Sequence, residues 1–214
     1  FNSFLNNNIY IEGIKNIEKT DIDNANMLGY KIKLLGFAES INNKIYQRVH
    51  PALIKKSSYI ASIDGVLNAV IIEGKPVGQT TIQGEGAGPS ATTSALVSDV
   101  SSILRGNIKF PFSLSTKERK KLVFSNILNR FFSAYLRFDV SDKSGVLSDI
   151  TKVFSKNKVS IKRLVQDPNK GKKSSSISII THSSKEYQLN KIISQISIKK
   201  YIKKKPKLIR ISEI

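Results

Sequence analysis

A glycine-rich turn, Gly84-Glu85-Gly86-Ala87-Gly88-Pro89, is the stretch whose residue types and spacing could serve chemistry most directly. Its glycines allow positive φ angles and let a flat ligand approach the backbone without meeting a Cβ atom. The run Val77–Gln83 before the turn is strand-like, and the apolar spacing after it predicts a helix over Pro89–Arg105. The corner is therefore a candidate ligand-binding turn, or a turn that only lets the helix pack closely on its strand.

The turn does not match the known phosphate-binding fingerprints. It lacks the G-x-G-x-x-G spacing that opens a dinucleotide-binding unit, and no Lys-Ser or Lys-Thr pair follows the glycines as in a P-loop. Glu85 is interpreted as an exposed turn carboxylate rather than a site residue. The two histidines, His50 and His182, fall in different predicted domains, so we expect no metal site built on them.

The composition predicts a globular chain with room for two modest domains, since 40% of its 214 residues are hydrophobic. No apolar run approaches the roughly 20 residues of a membrane span, so we expect a soluble, cytoplasmic protein. The absence of cysteine excludes disulfides and thiolate catalysis. Because the first residue is Phe1 rather than Met, we also expect a piece of a longer protein.

The net charge of +19 is distributed unevenly along the chain. Residues 1–109 hold 11 basic and 9 acidic side chains, whereas residues 110–214 hold 24 and 7. Such an excess can indicate a nucleic-acid or membrane partner. Here it is almost all Lys, in a composition also rich in Ile, Asn and Ser, which favours a solvated surface. We therefore expect neither nucleic acid nor membrane as a partner.

Alternating residues in the first half predict a mostly antiparallel sheet with a few helices. The strands are predicted over residues 31–38, 44–50, 69–73 and 77–82. Asn42-Asn43 is predicted to join the first two strands, and Pro51 to end the second. Asp21 is predicted to cap a short helix that stops at Gly29.

The second half shows the order strand, helix, strand, strand, helix, strand. The strands are predicted over residues 134–140, 160–166, 176–181 and 207–211, and the turn between the second and third over Lys170-Gly171-Lys172-Lys173. This order is typical of a ferredoxin-like domain of about 80 residues. The sequence therefore predicts an α+β chain with a mixed or antiparallel sheet over residues 1–109, a connector over 110–133 and a ferredoxin-like domain over 134–214.

Several short motifs of the first half, taken in order, resemble the later part of the catalytic region of homoserine dehydrogenases. They are Glu12-Gly13-Ile14, Asp21-Ile22, Leu28-Gly29-Tyr30, Lys33-Leu34-Leu35-Gly36, Arg48-Val49-His50-Pro51, Asp64-Gly65-Val66, Asn68-Ala69-Val70, and Gly86-Ala87-Gly88 with Ala91-Thr92. The second half resembles an ACT domain through Asp142-Lys143-Ser144-Gly145-Val146-Leu147 and the order of its elements. The resemblance covers nearly the whole chain.

The resemblance implies part of an enzyme that interconverts L-homoserine and L-aspartate 4-semialdehyde with NAD or NADP, in threonine, methionine and isoleucine biosynthesis. It places Gly86, Ala87 and Gly88 beside the nicotinamide, where hydride transfer needs close approach. No catalytic residue is expected in this chain, because the family's nucleotide-binding domain and catalytic lysine correspond to segments upstream of Phe1. The isolated chain is accordingly expected to be inactive.

For the second half, the resemblance implies ACT domains that pair side by side, in a homodimer or homotetramer. It also implies L-threonine as a feedback effector at the loop after the first strand, contacted by Asp142, Ser144, Gly145, Val146 and Leu147. Backbone amides at a helix N-terminus can hold its carboxylate. The alternative is a turn and helix cap that bind no ligand.

Two interpretations from other classes stay open on the sequence. A basic β-α-β-β-α-β domain is also the architecture of an RNA-binding RRM, although the predicted strand over 176–181 lacks the aromatic residues on which RRMs stack bases. A free-standing amino-acid sensor would use residues 134–214 alone, and would leave the ordered motifs of the first half unexplained.

Overall fold

The computed structural model describes residues 9–107, 117, 123–125, 127–168 and 174–213. The chain forms two compact units, one made of Phe1–Ser57 with Val123–Ile214 and the other of Ser58–Leu122. The first unit thus combines residues from the two ends of the chain. The domain boundaries at 109 and 133 stay a prediction, and most of the connector, together with the turn over 170–173, lies outside the described residues.

The predicted strands and helices are present in the predicted order, and the described residues add four two-residue strands that the sequence pattern does not predict. The strands are β1 Tyr10–Ile11, β2 Tyr30–Ile41, β3 Lys44–Lys55, β4 Leu67–Gly74, β5 Gly78–Glu85, β6 Val123–Phe124, β7 Phe131–Phe132, β8 Ala134–Ser141, β9 Ile161–Pro168, β10 Ser174–Thr181, β11 Ser184–Lys185 and β12 Lys207–Ser212. The helices are α1 Lys19–Met27, α2 Pro89–Leu104, α3 Val146–Lys156 and α4 Glu186–Ser197. The predicted α+β fold class is confirmed.

In the first hairpin β2 pairs with β3, from Tyr30 opposite Lys55 to Ile41 opposite Lys44. Asn42 and Asn43 join the strands with φ angles of 51° and 60°, as a type I′ turn requires. The prediction that Pro51 ends the second strand is wrong, because β3 continues to Lys55. Val49 directs its carbonyl to Glu12 in the neighbouring segment, and the residue two positions on faces the same side. The missing N–H of Pro51 would therefore point to this same edge of β3. It falls between the residues that pair with β1, which end at Val49, and those that pair with β12, which begin at Ala52.

Helix α1 begins three residues earlier than its predicted cap implies. Glu18 occupies the N-cap position, and Asp21 is the third residue of the helix, whose carboxylate accepts a hydrogen bond of 3.0 Å from the Glu18 amide. Asp21 therefore completes a capping box from inside the helix instead of preceding it. The helix ends as predicted, before Gly29 with φ of 86°.

One sheet runs through the first unit in the order β1-β3-β12-β8-β10-β9, with β2 and β6 also pairing with β3. Its part β12-β8-β10-β9 is antiparallel throughout and forms the ferredoxin-like domain. Strand β12 pairs on its other edge with β3, in parallel, through Ala52–Arg210, Leu53–Ile211 and Ile54–Ser212. The sheet of the ferredoxin-like domain thus extends into the N-terminal segment.

Both faces of strand β8 are covered. On one face Leu136, Phe138 and Val140 pack with α3 and α4 in the larger core. On the other face Tyr135 packs in a smaller core with residues of α1 and β3. The sequence pattern predicts a half-buried strand, which is wrong, because α1 covers the face that carries Tyr135 and Arg137.

The second unit contains the β4–β5 hairpin and helix α2. The hairpin is paired from Leu67 opposite Glu85 to Gly74 opposite Gly78. Both elements agree with the prediction, including the end of α2 before Gly106. Among the described residues, no helix has the length and apolar character needed to cross a membrane.

Candidate functional site

The glycine turn connects β5 to α2, as the sequence predicts. In this turn the Gly86 amide donates a hydrogen bond of 3.1 Å to the carbonyl of Val66, just before β4. Gly88 has φ of 125° and stands at the N-cap of α2. Its carbonyl accepts hydrogen bonds from the amide of Thr92 at 3.1 Å and from the Thr92 hydroxyl at 2.9 Å. The turn is therefore fixed at both ends by backbone contacts.

Side chains at Gly86 and Gly88 would meet two different obstacles. A Cβ atom on Gly86 would lie 1.5 Å from Nδ2 of Asn68, so that side chain would have to move. A Cβ atom on Gly88 would meet nothing within 4 Å, but the φ of 125° is one that residues with side chains rarely adopt. Gly86, Ala87 and Gly88 are all exposed. Their contact with a cofactor stays a prediction.

The second candidate site is the loop after β8 together with the first two residues of α3, which we call the effector loop (residues 142–147). Asp142, Ser144 and Gly145 are exposed, Leu147 is half-buried, and Val146 belongs to the larger core. The structure brings these five residues together in one turn. The side chain of Val146 faces the core, so only its backbone could serve a ligand.

Gly145 gives the effector loop its shape. It adopts a left-handed conformation with φ of 87° and ψ of −16° at the N-cap of α3, and within the described residues no side chain caps this helix. Its carbonyl accepts the first helical hydrogen bond, from the Asp149 amide at 2.9 Å. An α-helix leaves its first amides without partners inside the helix. The Val146 amide donates to the carbonyl of Lys143 at 3.4 Å, so the amides that follow Val146 are the ones that can offer donors to a carboxylate.

Residues 199–206, which we call the bridging segment, run beside the effector loop. The Ser141 amide donates to the carbonyl of Tyr201 at 2.8 Å, and the Tyr201 hydroxyl donates to Asp149 Oδ2 at 2.9 Å. Lys199 Nζ lies 3.1 Å from the same carboxylate oxygen. The hydrogen bond from Tyr201, followed by that from Lys199, lowers the pKa of Asp149. The only sequence signal for these contacts is one tyrosine in a lysine run.

The bridging segment also reaches the N-terminal segment of the chain. The Lys203 amide donates to the carbonyl of Asp139 at 2.8 Å, and Lys204 Nζ lies 3.2 Å from Glu18 Oε2 at the N-cap of α1. The same segment thus contacts β8, the first turn of α3 and the start of α1.

Arg137 joins β8 to α1 in a largely buried ion-pair cluster. Its Nε donates to Asp21 Oδ1 at 2.7 Å, one terminal nitrogen donates to Glu18 at 3.0 Å, and the other donates to Asp139 at 2.5 Å. The Arg137 and Asp21 side chains are 4% and 0% exposed. Burial alone would lower the pKa of Arg137, but Asp21 and then Asp139 and Glu18 outweigh it and raise that pKa. The guanidinium therefore stays charged.

His50 lies buried in β3, with Nδ1 placed 2.9 Å from the carbonyl of Pro51, so this nitrogen carries the proton. Burial is the main reason why the pKa of His50 falls to about 4, and the charges of Arg210 and Arg48 act in the same direction. The histidine is therefore neutral at physiological pH and has a structural role.

This histidine gives the protein a testable pH dependence. Between the folded pKa of about 4 and the unfolded value of 6.5, the unfolded state binds more protons. The stabilisation is complete above about pH 6.5 and is lost as pH falls, so about 2–3 kcal/mol should disappear between about pH 7 and pH 4.5. Urea unfolding of the wild type and of His50→Gln at both pH values measures it. An equal pH dependence in the two proteins would contradict the assignment.

The fold and the two turns define the class of the chain. It is an α+β protein in which a ferredoxin-like domain with a glycine-shaped loop shares its sheet with an N-terminal segment. Residues 3–101 match the homoserine dehydrogenase family and residues 134–197 match the ACT domain family. The chain belongs to the homoserine dehydrogenase family, in a form that carries an ACT domain.

Individual relatives agree with both matches. The homoserine dehydrogenase of Helicobacter pylori is 32% identical over 95% of this chain and 48% of its own length. That of Neisseria gonorrhoeae is 33% identical over 96% of this chain and 48% of its own length. The crystal structure of a homoserine dehydrogenase from Thiobacillus denitrificans superimposes with a TM-score of 0.83, at 32% identity, over 96% of this chain and 48% of that one. The chain spans about half the length of the curated relatives it matches.

Proposed function

We propose that this chain is the later catalytic part and the regulatory part of a nicotinamide-nucleotide-dependent homoserine dehydrogenase. The whole protein would interconvert L-homoserine and L-aspartate 4-semialdehyde, in threonine, methionine and isoleucine biosynthesis. The observation that carries the proposal is the similarity to the Thiobacillus denitrificans enzyme, which extends over 96% of this chain in both sequence and fold. Neither NAD nor NADP is favoured by the described residues.

The residues of the glycine turn fit a nicotinamide ring. The turn is exposed, Gly86 and Gly88 place no Cβ atoms on it, and the N-terminus of α2 starts there. The cofactor would supply the hydride acceptor, and the role of this chain would be to let the ring lie close to the backbone. The chain supplies no catalytic group in this proposal, so by itself it should not oxidise L-homoserine.

Gly88→Ala in the whole protein tests this role. A side chain at φ of 125° is strained, so the turn should change shape, and KM for the nucleotide should rise about tenfold, which corresponds to about 1.4 kcal/mol. Steady-state kinetics with homoserine in excess measure the change. Gly84→Ala is the matched control, because its φ is not positive and its Cβ atom would meet nothing within 4 Å. Equal nucleotide KM values in the two variants would count against the role.

For the ACT domain, we propose that the effector loop binds L-threonine as a feedback inhibitor. The support is the left-handed Gly145, the uncapped first turn of α3 and the exposure of Asp142 and Ser144. The carboxylate would accept from the amides of the first turn of α3 that follow Val146, and the ligand would bind between paired ACT domains of a homodimer or homotetramer.

Isothermal titration of this chain with L-threonine should give saturable heat, while L-homoserine and L-serine should give none or much less. Gly145→Val should abolish the heat, because a β-branched residue cannot hold the left-handed turn without strain. Ser155→Ala, at the exposed far end of α3, is the control that should bind normally. Equal heats for all three amino acids, or normal binding by Gly145→Val, would contradict the proposed site.

The RNA-binding alternative is not favoured by the sheet. An RRM presents the face of its sheet opposite the two helices to RNA. Here α1 covers that face, and Asn24 in α1 donates to the hydroxyl of Tyr135 at 3.1 Å and to Ser178 Oγ at 3.0 Å. The face is therefore occupied by the chain itself.

A further inference from the structure

A cleft of about 540 Å³ lies in the first unit, between the N-terminal segment and the ACT domain. It is lined by residues of the N-terminal segment, Tyr10, Glu12, Lys15, Asn16 and Glu18, and by residues of the ACT domain, Asn190, Ile193, Lys204, Lys205, Pro206, Lys207, Leu208 and Arg210. Its size is in the range of small-molecule sites. No residue of the effector loop lines it, so it is a separate place in the fold.

Cations dominate the lining of this cleft, and its two carboxylates already have partners. Glu12 Oε2 accepts from the Tyr10 hydroxyl at 2.9 Å and from Arg210 Nη1 at 3.0 Å. Glu18 Oε2 accepts from Arg137 and from Lys204. A ligand ammonium group would therefore have to displace an existing ion pair, which disfavours an amino acid here.

Three lysines supply the excess positive charge. Lys207 Nζ donates to the backbone carbonyl of Asn16, a neutral group, so its charge is not compensated by that contact. Within the part of the chain that the structure describes, Lys15 and Lys205 have no carboxylate within ion-pair distance. The cleft therefore offers three uncompensated ammonium groups, one from the N-terminal segment and two from the ACT domain.

Arg210 gives the lining of the cleft a buried and permanently charged group. Arg210 is 3% exposed, and its guanidinium is held by Glu186 with two nitrogens and stacks at 4.6 Å on the ring of Tyr10. Burial opposes its charge, but the hydrogen bonds and charge of Glu186 raise the pKa of Arg210. Pro206 is buried between Lys205 and Lys207, and the bridging segment is tied to β8. The lysines are thus presented by a fixed backbone.

We propose that this cleft binds a small, multiply charged anion, with the charge density of a diphosphate or a tricarboxylate. Lys15 would approach it from the N-terminal segment, and Lys205 and Lys207 from the ACT domain. The electrostatic attraction between several cations and one polyanion is stronger in a partly enclosed site than in bulk water, because water and salt screen the charges less there. Such a ligand would hold the N-terminal segment against the ACT domain. The proposal does not depend on the effector loop or on dehydrogenase activity.

The test is isothermal titration of this chain at low ionic strength with inorganic pyrophosphate and, separately, with citrate. Acetate serves as the singly charged control. At least one polyanion should bind saturably, and acetate should not. Lys15→Gln/Lys205→Gln should weaken that binding at least about tenfold, which is about 1.4 kcal/mol. The matched control is Lys162→Gln/Lys200→Gln, which removes the same charge at two exposed lysines outside the cleft, and it should weaken binding less than about threefold.

Each outcome decides the proposal. Binding of pyrophosphate alone would support a phosphate ligand, and binding of citrate alone would support a polycarboxylate. No saturable binding of either up to about 10 mM would overturn the site, as would an equal loss in the two double variants, since that shows diffuse attraction to a basic protein. Thermal unfolding of each variant checks the fold. L-threonine titrated in parallel reports separately on the effector loop.

Discussion

Arg137→Met should lower the free energy of unfolding by about 3–5 kcal/mol, because it leaves a buried carboxylate without its cation. Asp21 is 0% exposed, and its two oxygens accept from Arg137 at 2.7 Å and 3.4 Å. Methionine fills a similar volume, so the loss would come from the unpaired charge rather than from a cavity. Urea unfolding monitored by circular dichroism gives the difference from the wild type.

Two further variants make this result specific. Arg163→Met removes an exposed arginine from β9 and should change stability by less than about 0.5 kcal/mol. Asp21→Asn combined with Arg137→Met should recover part of the loss, since no buried charge is then left unpaired. A loss below about 1 kcal/mol in Arg137→Met would show that water or another cation reaches Asp21, and that the cluster does not bind α1 to the sheet.

Phe138→Ala should destabilise the protein by about 3–5 kcal/mol, through lost burial and the cavity that remains. Phe138 is 0% exposed in β8, and its ring meets that of Phe154 in α3 edge to face at 6.3 Å. The larger core around it is built from strands β8 and β10 and helices α3 and α4, so the site should collapse poorly. The same urea unfolding experiment measures the change.

Phe131→Ala is the matched control for this substitution. Phe131 is 63% exposed, and Lys185 Nζ lies 5.5 Å from the centre of its ring. Exposed truncations of this kind usually change stability by about 1 kcal/mol or less. If both phenylalanine variants lost the same stability, the packing of α3 on β8 would not be the main source of stability in this domain.

Local patterns in the sequence predict the elements of this fold well, because local rules govern them. The Asn42-Asn43 turn requires positive φ angles that asparagine tolerates, and α3 repeats apolar residues at helical spacing. The errors lie where residues far away in the sequence determine the end of a strand or the burial of a side chain. Pro51 stays inside β3 because two other strands leave a gap beside it. Tyr135 is buried because α1, more than a hundred residues earlier, covers its face.

The candidate sites were predictable to different degrees. The glycine turn and the effector loop are contiguous in sequence, so their residue types indicate them directly. The Arg137 cluster and the cleft are assembled from residues 10–21 together with residues 137 and 190–210. No spacing rule connects such residues, and a lysine run gives no sign of which of its members faces a cleft. The pairing of β12 with β3 and the packing of α1 on the sheet bring them together.

That pairing of β12 with β3 also bears on how the protein is made. Ala52 pairs with Arg210, so β3 leaves the ribosome about 160 residues before its neighbour in the sheet exists. Until the last strand emerges, the part of β3 that pairs with it, Ala52, Leu53 and Ile54, offers unpaired amides and carbonyls to other chains. Nascent chains that stall or end before β12 should therefore be prone to aggregation. An ACT domain cut out at residue 134 would carry the complementary problem, an open edge on β12.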